Sequence, residues 1–306
     1  MNCVVLGGGG FIGSHLAEEL LRVYGNVTVF DKPEAPNLDL LLQRGANIVT
    51  GDFLETAHIS KALVGATTIF HLISTTVPKS SVEDPIYDVE SNLIGSLRLM
   101  KLAKDTGIKK IVFASSGGTV YGVPREIPIS EDHQTNPICS YGIVKLAIEK
   151  YLHMFCTLFD LNYCILRVSN AYGERQPVSS SQGIISALID KELHGKSFTI
   201  WGDGSVIRDY IHVGDITSAY IAAGEYSGES RVFNIGSGIG HSLNDIVDIF
   251  QKIMKKNIDL IYENGRAYDV PVNILDISRA KNLLNWEPKI SLTDGIRQTL
   301  EYVLNS

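Results

Sequence analysis

Tyr141 and Lys145 are the two residues of this sequence whose types and spacing point most directly to chemistry. They stand four apart at the start of a segment with helical periodicity, so a helix places both side chains on one face. A tyrosine hydroxyl has a pKa of about 10, too high for a base at neutral pH, and a nearby ammonium favours its phenolate form. The pair could then take a proton from a substrate hydroxyl. Because the same spacing occurs by chance in many helices, its meaning depends on the elements around it.

A glycine-rich turn near the N-terminus predicts what the pair works with. Gly7, Gly10 and Gly13 fall where a strand must turn into a helix, and without a Cβ the chain can bring backbone N–H groups against a pyrophosphate. Asp31 closes the next strand, where a carboxylate accepts hydrogen bonds from a ribose 2′-hydroxyl and repels a 2′-phosphate. This favours NAD over NADP, although Lys32 beside it is one hint of NADP. The alternative is a generic turn followed by a capping aspartate.

The elements that must position these residues alternate along the chain. Short β-branched runs are followed by segments of helical period, which predicts right-handed β-α-β units in a doubly wound parallel sheet, an α/β Rossmann fold. A cofactor bound at the strand ends would lie beside Tyr141, and its positive nicotinamide ring, with Lys145, would lower the Tyr141 pKa. A substrate carbon could then pass a hydride to NAD while the phenolate takes the proton. The segments are 3–6, 14–24, 27–30, 38–44, 48–50, 59–64, 68–73, 85–106, 110–115, 140–159 and 163–168.

The rhythm changes after about residue 172. Glycine, serine and proline cluster at 173–183, and a helix at 184–193 and scattered short elements follow. We expect an NAD-binding domain over 1–172 with a returning segment at about 211–236. Residues 173–210 and 237–306 would then form a smaller α/β lid domain that binds the substrate.

The sequence resembles the extended short-chain dehydrogenase/reductase family, particularly its nucleotide-sugar epimerases, over nearly its whole length. The resemblance implies that Asp52 meets the adenine amino group, that Phe53 backs the ring, and that Asn92 is the asparagine of the family's long helix. Without it, Asp52 is more typical of a strand-end turn and Asn92 of a helix amide with internal partners. The cofactor residues implied are Gly7, Gly10, Phe11, Ile12, Gly13, Asp31, Lys32, Asp52, Phe53, Leu72, Ser74, Asn92, Ser115, Tyr141 and Lys145.

The serine-rich strand end departs from the family at one position. The residue that usually carries a hydroxyl beside the catalytic tyrosine is Gly117 here. We expect Ser116, or next Thr119, to supply the hydroxyl, with a water molecule as the remaining alternative. The family's dehydratases place an Asp-Glu pair immediately after that position. Gly118 and Thr119 stand there instead, so the acid and base needed to eliminate water are missing.

The resemblance also implies a site for a sugar attached to a nucleotide diphosphate. Arginines suit the diphosphate because their fork matches phosphate oxygens. Asn273 stands where a bulky tyrosine crowds out a 2-acetamido group, so its smaller volume predicts that N-acetylhexosamines are tolerated. Taken singly, such residues are as typical of surface ion pairs, buried amides or core aromatics. The residues implied are Asn170, Thr199, Trp201, Arg208, Tyr210, Arg266, Asp269 and Asn273.

Composition argues against several other classes of protein. The chain has 27 basic and 34 acidic residues, a net charge of -7 and no block of like charge, which is unlike a nucleic-acid or membrane-surface binder. Four cysteines without C-x-x-C pairing and eight scattered histidines predict reduced thiols and no metal. There is no signal-like N-terminus and no apolar run of the roughly 18 residues a membrane span needs, so we expect a cytoplasmic protein.

These expectations combine into one leading function. The Tyr-Lys pair with NAD, and without the dehydratase acids, predicts a redox-neutral nucleotide-sugar 4-epimerase, with UDP-hexose as the first substrate. The alternatives are an NDP-4-keto-sugar reductase on the same scaffold and a regulator that senses NAD without catalysis. The helices at 85–106 and 140–159 resemble the pair that forms a four-helix dimer interface in the family, which implies a homodimer.

Overall fold

The computed structural model describes residues 1–177, 183–264 and 270–305. Its strands in chain order are β1 (Cys3–Leu6), β2 (Val27–Asp31), β3 (Asn47–Thr50), β4 (Thr68–His71), β5 (Lys110–Ser116), β6 (Asn162–Val168), β7 (Asn170–Tyr172), β8 (Phe198–Trp201), β9 (Ile207–His212), β10 (Val232–Ile235), β11 (Gly240–Ser242), β12 (Leu260–Glu263) and β13 (Val272–Asn273). Arg266 and Asp269 lie outside the described residues.

The α-helices alternate with these strands. In chain order they are α1 (Phe11–Tyr24), α2 (Leu38–Gln43), α3 (Thr56–Ala62), α4 (Pro78–Glu83), α5 (Pro85–Asp88), α6 (Gly95–Asp105), α7 (Ser140–Phe159), α8 (Ile184–Leu193), α9 (Val213–Glu225), α10 (Leu243–Met254), α11 (Ser278–Leu284) and α12 (Leu292–Asn305). Among the helices of the described ranges, none combines the length and apolar character that crossing a membrane requires.

The main sheet has seven strands, all parallel, in the order β10-β6-β5-β4-β1-β2-β3. The strand order reverses between β1 and β4. Strands β2 and β3 are added on the far side of β1, whereas β5, β6 and β10 are added on the far side of β4. A crevice opens outside the carboxyl ends of the strands at such a switch point. The predicted doubly wound α/β fold is confirmed.

Two apolar layers cover the faces of this sheet. One packs α1 and α9 against it and includes Leu16, Leu20 and Ala219, while the other packs α3, α6 and α7 and includes Leu99 and Ile148. The central strands β1, β4, β5 and β6 are buried on both faces, which explains why they read as continuous apolar runs rather than alternating ones. The rigid sheet therefore fixes where the turns at its carboxyl edge begin.

The later part of the chain builds a second core around smaller sheets. Strand β9 pairs with β7, β11 and β13, β8 pairs with β12, and α8, α10 and α12 pack a separate apolar cluster. Strand β10 returns to the main sheet beside β6, whereas Ala280 and Leu284 of α11 join the core next to α1 and α9. The proposed domain limits at 172, 211 and 236 stay a prediction.

Two helices differ from the sequence-based expectation. Helix α1 begins at Phe11 rather than at 14, with Gly10 as its N-cap and Gly13 in its first turn. A Cβ on Gly13 would collide with the Gly7 carbonyl oxygen, so this turn requires glycine. The long helix expected at 85–106 is present in extent, but Val89–Ile94 is π-helical. A π-helical turn marks a place where the regular backbone ladder gives way, often at functional sites. Here it turns the buried Asn92 toward the segment after β4.

Candidate active site

One cavity of about 1300 Å³ lies along the carboxyl edge of the main sheet at the switch point, and we call it the cleft. Its wall brings together residues that the sequence places far apart. Of the predicted cofactor and catalytic residues, those lining it are Gly7, Gly10, Phe11, Ile12, Gly13, Asp31, Lys32, Asp52, Phe53, Leu72, Ser74, Ser115, Ser116, Thr119, Tyr141 and Lys145.

The glycine turn fits the cradle of a pyrophosphate. Gly7 has φ of +82°, a conformation that favours glycine, and a Cβ there would stand 2.9 Å from the backbone nitrogen of Ile73. The Gly10 N–H donates to the Gly7 carbonyl oxygen over 3.2 Å, which closes the turn directly before α1. A group held here would face the N-terminus of a 14-residue helix, which favours negative charge.

Asp31 fixes the second side of this turn. Its Oδ2 accepts from the Gly9 N–H over 2.9 Å, and its Oδ1 accepts from the Lys32 N–H over 2.9 Å. Burial raises the pKa of the Asp31 carboxyl, and the two N–H donors act in the opposite direction. Asp31 lies at the end of β2, as predicted, and its recognition of a ribose stays a prediction.

A polar and an aromatic residue shape the next wall. The Oδ1 of Asp52 accepts from the Leu54 N–H over 2.8 Å, while the side chain itself is exposed to the cleft. The ring of Phe53 is buried and lies 5.3 Å from the His71 ring. Leu72 follows directly after β4 and lines the same wall. The arrangement can hold a flat, partly polar group such as a nucleotide base.

Tyr141 and Lys145 lie in the first turns of α7, on the face toward the sheet. The Tyr141 N–H donates to the Ser81 Oγ over 3.0 Å, which anchors the start of the helix. The Lys145 Nζ donates to the Ala114 carbonyl oxygen over 2.9 Å and stands 5.5 Å from the centroid of the Tyr141 ring. The predicted shared face is therefore present, and both side chains reach the cleft.

The electrostatics of this pair differ from the expectation drawn from the sequence. Burial raises the pKa of the Tyr141 phenol to about 12, although the hydrogen bond with Ser74 works in the opposite direction. Burial also lowers the pKa of the Lys145 ammonium to about 8, against the attraction of the Asp88 and Glu149 carboxylates. In the protein without cofactor, desolvation is the largest influence on the Tyr141 pKa, and the lowering expected from Lys145 together with the nicotinamide charge stays a prediction.

Sequence reasoning missed a buried network behind Lys145. Glu149, one further turn along α7, accepts from the Ser115 Oγ over 2.5 Å and forms an ion pair with Arg167 at 2.7 Å. Arg167 on β6 also donates to the Tyr121 hydroxyl over 3.0 Å. The signal was present in the sequence, since Glu149 continues the four-residue spacing of Tyr141 and Lys145. A buried acid on that face needs a cation, and Arg167 supplies it.

The turn after β5 explains the missing side chain at position 117. A Cβ on Gly117 would stand 2.5 Å from the Leu275 Cδ1 and 3.0 Å from the Arg167 carbonyl oxygen. The space that a serine would need is therefore already filled by Leu275. Ser116 and Thr119, the two predicted substitutes, both line the cleft.

Asn92 does not line the cleft. Its Oδ1 accepts from the Thr75 N–H over 2.9 Å, and its Nδ2 donates to the Thr75 and Thr76 hydroxyls and to Asp88 over 2.9, 3.1 and 3.0 Å. Every polar atom of the amide is thus used within the protein. The structure places Asn92 as the organiser of the segment after β4 rather than on the cavity wall, which matches the alternative of a satisfied helix amide.

The predicted substrate residues divide into two groups. Asn170 and Tyr210 line the cleft, and the Asn170 Nδ2 donates to the Asp209 carbonyl oxygen over 2.9 Å. Thr199, Trp201, Arg208 and Asn273 do not line it in the part of the chain that the structure describes. Trp201 is largely exposed at the end of β8, and Thr199 lies two residues before it.

Two further substrate residues have specific backbone partners. The Arg208 Nη1 donates to the Val270 carbonyl oxygen over 2.6 Å, so its guanidinium lies beside the start of β13. The Asn273 side chain is buried and its Nδ2 donates to the Gly117 carbonyl oxygen over 3.2 Å. Asn273 therefore lies behind the catalytic turn and not at the surface of the cavity.

Comparison of the whole chain with known proteins identifies its family. A model of the NAD dependent epimerase/dehydratase family matches residues 3–236. The chain belongs to this family. The matched region contains the glycine turn, Asp31, Tyr141 and Lys145, so NAD is the cofactor for which the cleft is built.

Relatives of the chain in the epimerase/dehydratase family match it from end to end. A putative UDP-glucose 4-epimerase of Methanocaldococcus jannaschii is 35% identical, over 99% of this chain and 98% of that protein. A dTDP-4-dehydro-6-deoxyglucose reductase of Escherichia coli is 32% identical, over 98% of this chain and 96% of that protein. The crystal structure of a Thermotoga maritima UDP-glucose 4-epimerase with UDP-glucose has a TM-score of 0.94 at 34% identity, over 100% of this chain and 99% of that chain.

These matches confirm the predicted family, the α/β fold class, the NAD cofactor and an enzyme of the epimerase class. The individual site residues remain predictions, because the comparisons concern whole chains. The geometry nevertheless separates them: those along the carboxyl edge share one cavity, whereas Asn92 and Asn273 support that edge from behind.

Proposed function

We propose that this protein interconverts the C4 epimers of a UDP-sugar through a transient 4-keto sugar. The observation that carries the proposal is that Tyr141 and Lys145 face the same cleft as the glycine turn and Asp31. The epimerase relatives and the absence of an Asp-Glu pair at Gly118 and Thr119 support epimerisation over loss of water.

The protein's part in the reaction is to hold and move one proton. Tyr141 takes the proton of the sugar 4-hydroxyl and later returns it, while the buried Lys145 ammonium stabilises the phenolate. Bound NAD supplies the hydride acceptor and donor for C4. The Ala114 carbonyl oxygen and Glu149 hold Lys145 from behind, so its charge stays next to the phenol. Oxidation and reduction balance, and no cofactor is consumed.

The nucleotide end of the substrate must stay fixed while the sugar turns over. Asn170 and Tyr210 line the cleft and are available to it, and we propose that Arg208 and Arg266 hold the diphosphate. Asp269 would bind the ribose, and Thr199 and Trp201 the base. Few polar contacts to the sugar itself would let its opposite face meet the cofactor after rotation.

We retain the proposal that N-acetylhexosamines are also substrates, on a changed physical basis. Asn273 is buried and donates to the Gly117 carbonyl oxygen from outside the cavity wall, so its small volume does not itself open the pocket. The two glycines at 117 and 118 keep the turn after β5 free of side chains. Assays with UDP-galactose and UDP-N-acetylgalactosamine test this, and negligible turnover of the acetamido sugar would exclude it.

The test of the main proposal is interconversion without added reductant. Purified protein is mixed with UDP-glucose, UDP-galactose or their N-acetyl analogues, and the sugars are followed by NMR. We expect a mixture of the two C4 epimers and no net NADH. Tyr141→Phe should abolish the interconversion while leaving the bound cofactor, since the ring still fills its place.

A second candidate is a nucleotide-linked 4-keto-sugar reductase, favoured by the similarity to the Escherichia coli reductase. Such an enzyme would consume cofactor in proportion to product and be purified largely free of it. Epimerisation with catalytic amounts of NAD separates the two. A regulator that only senses NAD is disfavoured because Tyr141 and Lys145 are both in place, and any turnover that Tyr141→Phe abolishes would exclude it.

We also propose a homodimer. Ile86 is 70% exposed on α5, and Ile143 and Leu158 are 55% and 63% exposed on α7, which packs against the π-helical segment. Apolar side chains on two adjacent helices are typical of a surface that a partner covers. Light scattering should give twice the monomer mass, and Ile143→Lys with Leu158→Lys should shift it to the monomer. A monomeric wild-type protein would refute the proposal.

A further inference from the structure

The hydroxyl of Thr119 is buried and has no hydrogen-bond partner in the described part of the protein. Buried hydroxyls are almost always paired, because an unpaired one has lost its water without replacement. Thr119 differs from most such cases in its position, since it lines the cleft. A group that enters the cleft can therefore satisfy it.

The surroundings of Thr119 place it beside the catalytic tyrosine. A Cβ on Gly142, the residue after Tyr141, would stand 2.9 Å from the Thr119 carbonyl oxygen. The first turn of α7 and the turn after β5 are thus in direct contact at this point. Thr119 and Tyr141 both line the cleft, each on one of these two neighbouring turns.

The turn that carries Thr119 is firmly held. The Ser116 carbonyl oxygen accepts from the Val120 N–H over 3.2 Å, and Val120 and Tyr121 are buried against Ile129 and Leu275. Its backbone is therefore fixed before any ligand enters. Because the turn is already fixed, a hydrogen bond from this hydroxyl in the transition state costs little conformational entropy.

We propose that Thr119 donates a hydrogen bond to the reacting 4-oxygen of the sugar. It would thereby replace the hydroxyl that the family usually carries at position 117. The inference rests on the proposed function and adds a catalytic residue to it. As Tyr141 removes the proton and the hydride leaves C4, the C4–O bond becomes a carbonyl and its oxygen gains negative charge. Thr119 keeps its own proton throughout, so its bond strengthens and weakens without transfer.

The other hydroxyls nearby are less suited to this task. Ser74 already bonds to the Thr76 carbonyl oxygen over 3.1 Å and to Tyr141, so its partners are found within the protein. Ser116 is the first substitute suggested by the sequence, but its hydroxyl is not among the buried oxygens left without a partner. Among the described residues, the Tyr220 hydroxyl on α9 also lines the cleft without a partner, but of the hydroxyls on the two turns beside Tyr141 only that of Thr119 does so.

Isosteric replacement tests the proposal. Thr119→Val removes the hydroxyl and keeps the shape, and we expect kcat to fall about 10- to 100-fold, the effect of losing one bond to a charged oxygen. KM, the amount of bound NAD and the melting temperature should stay near those of the wild type. Thr119→Ser should recover most of the rate. Thr299→Val, which removes a buried hydroxyl in α12 bonded to the Gly295 carbonyl oxygen, is the matched control and should leave kcat unchanged.

Several results would overturn the proposal. An unchanged kcat in Thr119→Val would do so, as would an equal loss in Thr119→Ser and Thr119→Val, or a loss confined to Ser116→Ala. If the wild type converts no UDP-sugar, the proposed function fails by itself. The same Thr119 variants are then compared in single-turnover reduction of the bound NAD by the sugar nucleotides. A slowed reduction in Thr119→Val would still support the hydroxyl's role, and an unchanged one would refute it.

Discussion

Gly117 and Leu275 should behave as one packing unit, and a double-mutant cycle can measure this. In Gly117→Ser, the new Cβ would stand 2.5 Å from the Leu275 Cδ1 and 3.1 Å from its Cδ2. Carbon atoms prefer separations of about 3.5–4.0 Å, so the overlap is about 1 Å. Overpacking of this kind costs about 1–3 kcal/mol, and we expect the free energy of unfolding to fall by that amount. Gly117 has no positive φ, so backbone strain does not add to it.

The second arm of the cycle is Leu275→Ala. Leu275 is fully buried, and removing its side chain should cost about 2–5 kcal/mol. In the double variant Gly117→Ser with Leu275→Ala, the serine occupies part of the space that the leucine leaves. We expect a loss about 1–2 kcal/mol smaller than the sum of the single losses. Full recovery is not expected, because the Arg167 carbonyl oxygen still lies 3.0 Å from the new Cβ.

Urea unfolding of the four proteins, followed by circular dichroism with a common slope, gives the coupling free energy. Gly118→Ser is the matched control, because Gly118 is exposed and the nearest atom to a Cβ there is the Ser116 Oγ at 3.8 Å. It should change stability by no more than about 0.5 kcal/mol. Additive single losses, or a Gly117→Ser protein as stable as the wild type, would refute the packing explanation for the glycine.

Three further outcomes follow from buried charges. Lys110 donates to three carbonyl oxygens at the end of α9. Lys110→Met should therefore lower the free energy of unfolding, measured by urea titration, by about 2–3 kcal/mol. Lys110→Ala should be at least as unstable. Burial lowers the pKa of Lys145 to about 8. Between that pH and the ordinary lysine pKa of 10.5, the folded state therefore binds fewer protons than the unfolded state. Lys145 should therefore contribute a rise of stability with pH across that window, opposed by the buried thiols of Cys3 and Cys164, whose pKa values burial raises. The contribution is measured as the difference in slope between the wild type and Lys145→Met, and equal slopes would contradict it. Asp31→Asn should reduce the preference for NAD over NADP about tenfold in binding titrations, since repulsion of the 2′-phosphate is lost, and an unchanged ratio would exclude that role.

Local signals account for most of the fold that could be predicted. The buried parallel strands and α7 were foreseen because apolar period and turn residues report on a segment's immediate neighbours. The sequence predicts a start of α1 at residue 14 because glycine has a low helix propensity. The close approach of Gly13 to Gly7, which demands that glycine, is a tertiary contact.

The direction in which a side chain points, into the cleft or away from it, is harder to predict from the sequence than its proximity to the site. The sequence places Asn92 and Asn273 near the site, and the structure agrees, but both amides bond to backbone behind the cleft. Their direction depends on a π-helical turn and on a two-residue strand, β13, pairing with β9. Neither feature has a periodic signal in the sequence.

The sequence predicts that Lys145 and the nicotinamide charge favour the Tyr141 phenolate, but it does not reveal how strongly burial acts on the pair. Burial pushes the Tyr141 pKa up to about 12 and the Lys145 pKa down to about 8, so one physical cause drives both groups toward their neutral forms. A neutral phenol cannot take a proton, so a bound oxidised nicotinamide, which is positively charged, would be needed to favour the phenolate. We therefore propose that Tyr141 and Lys145 become an acid–base pair when the cofactor is bound.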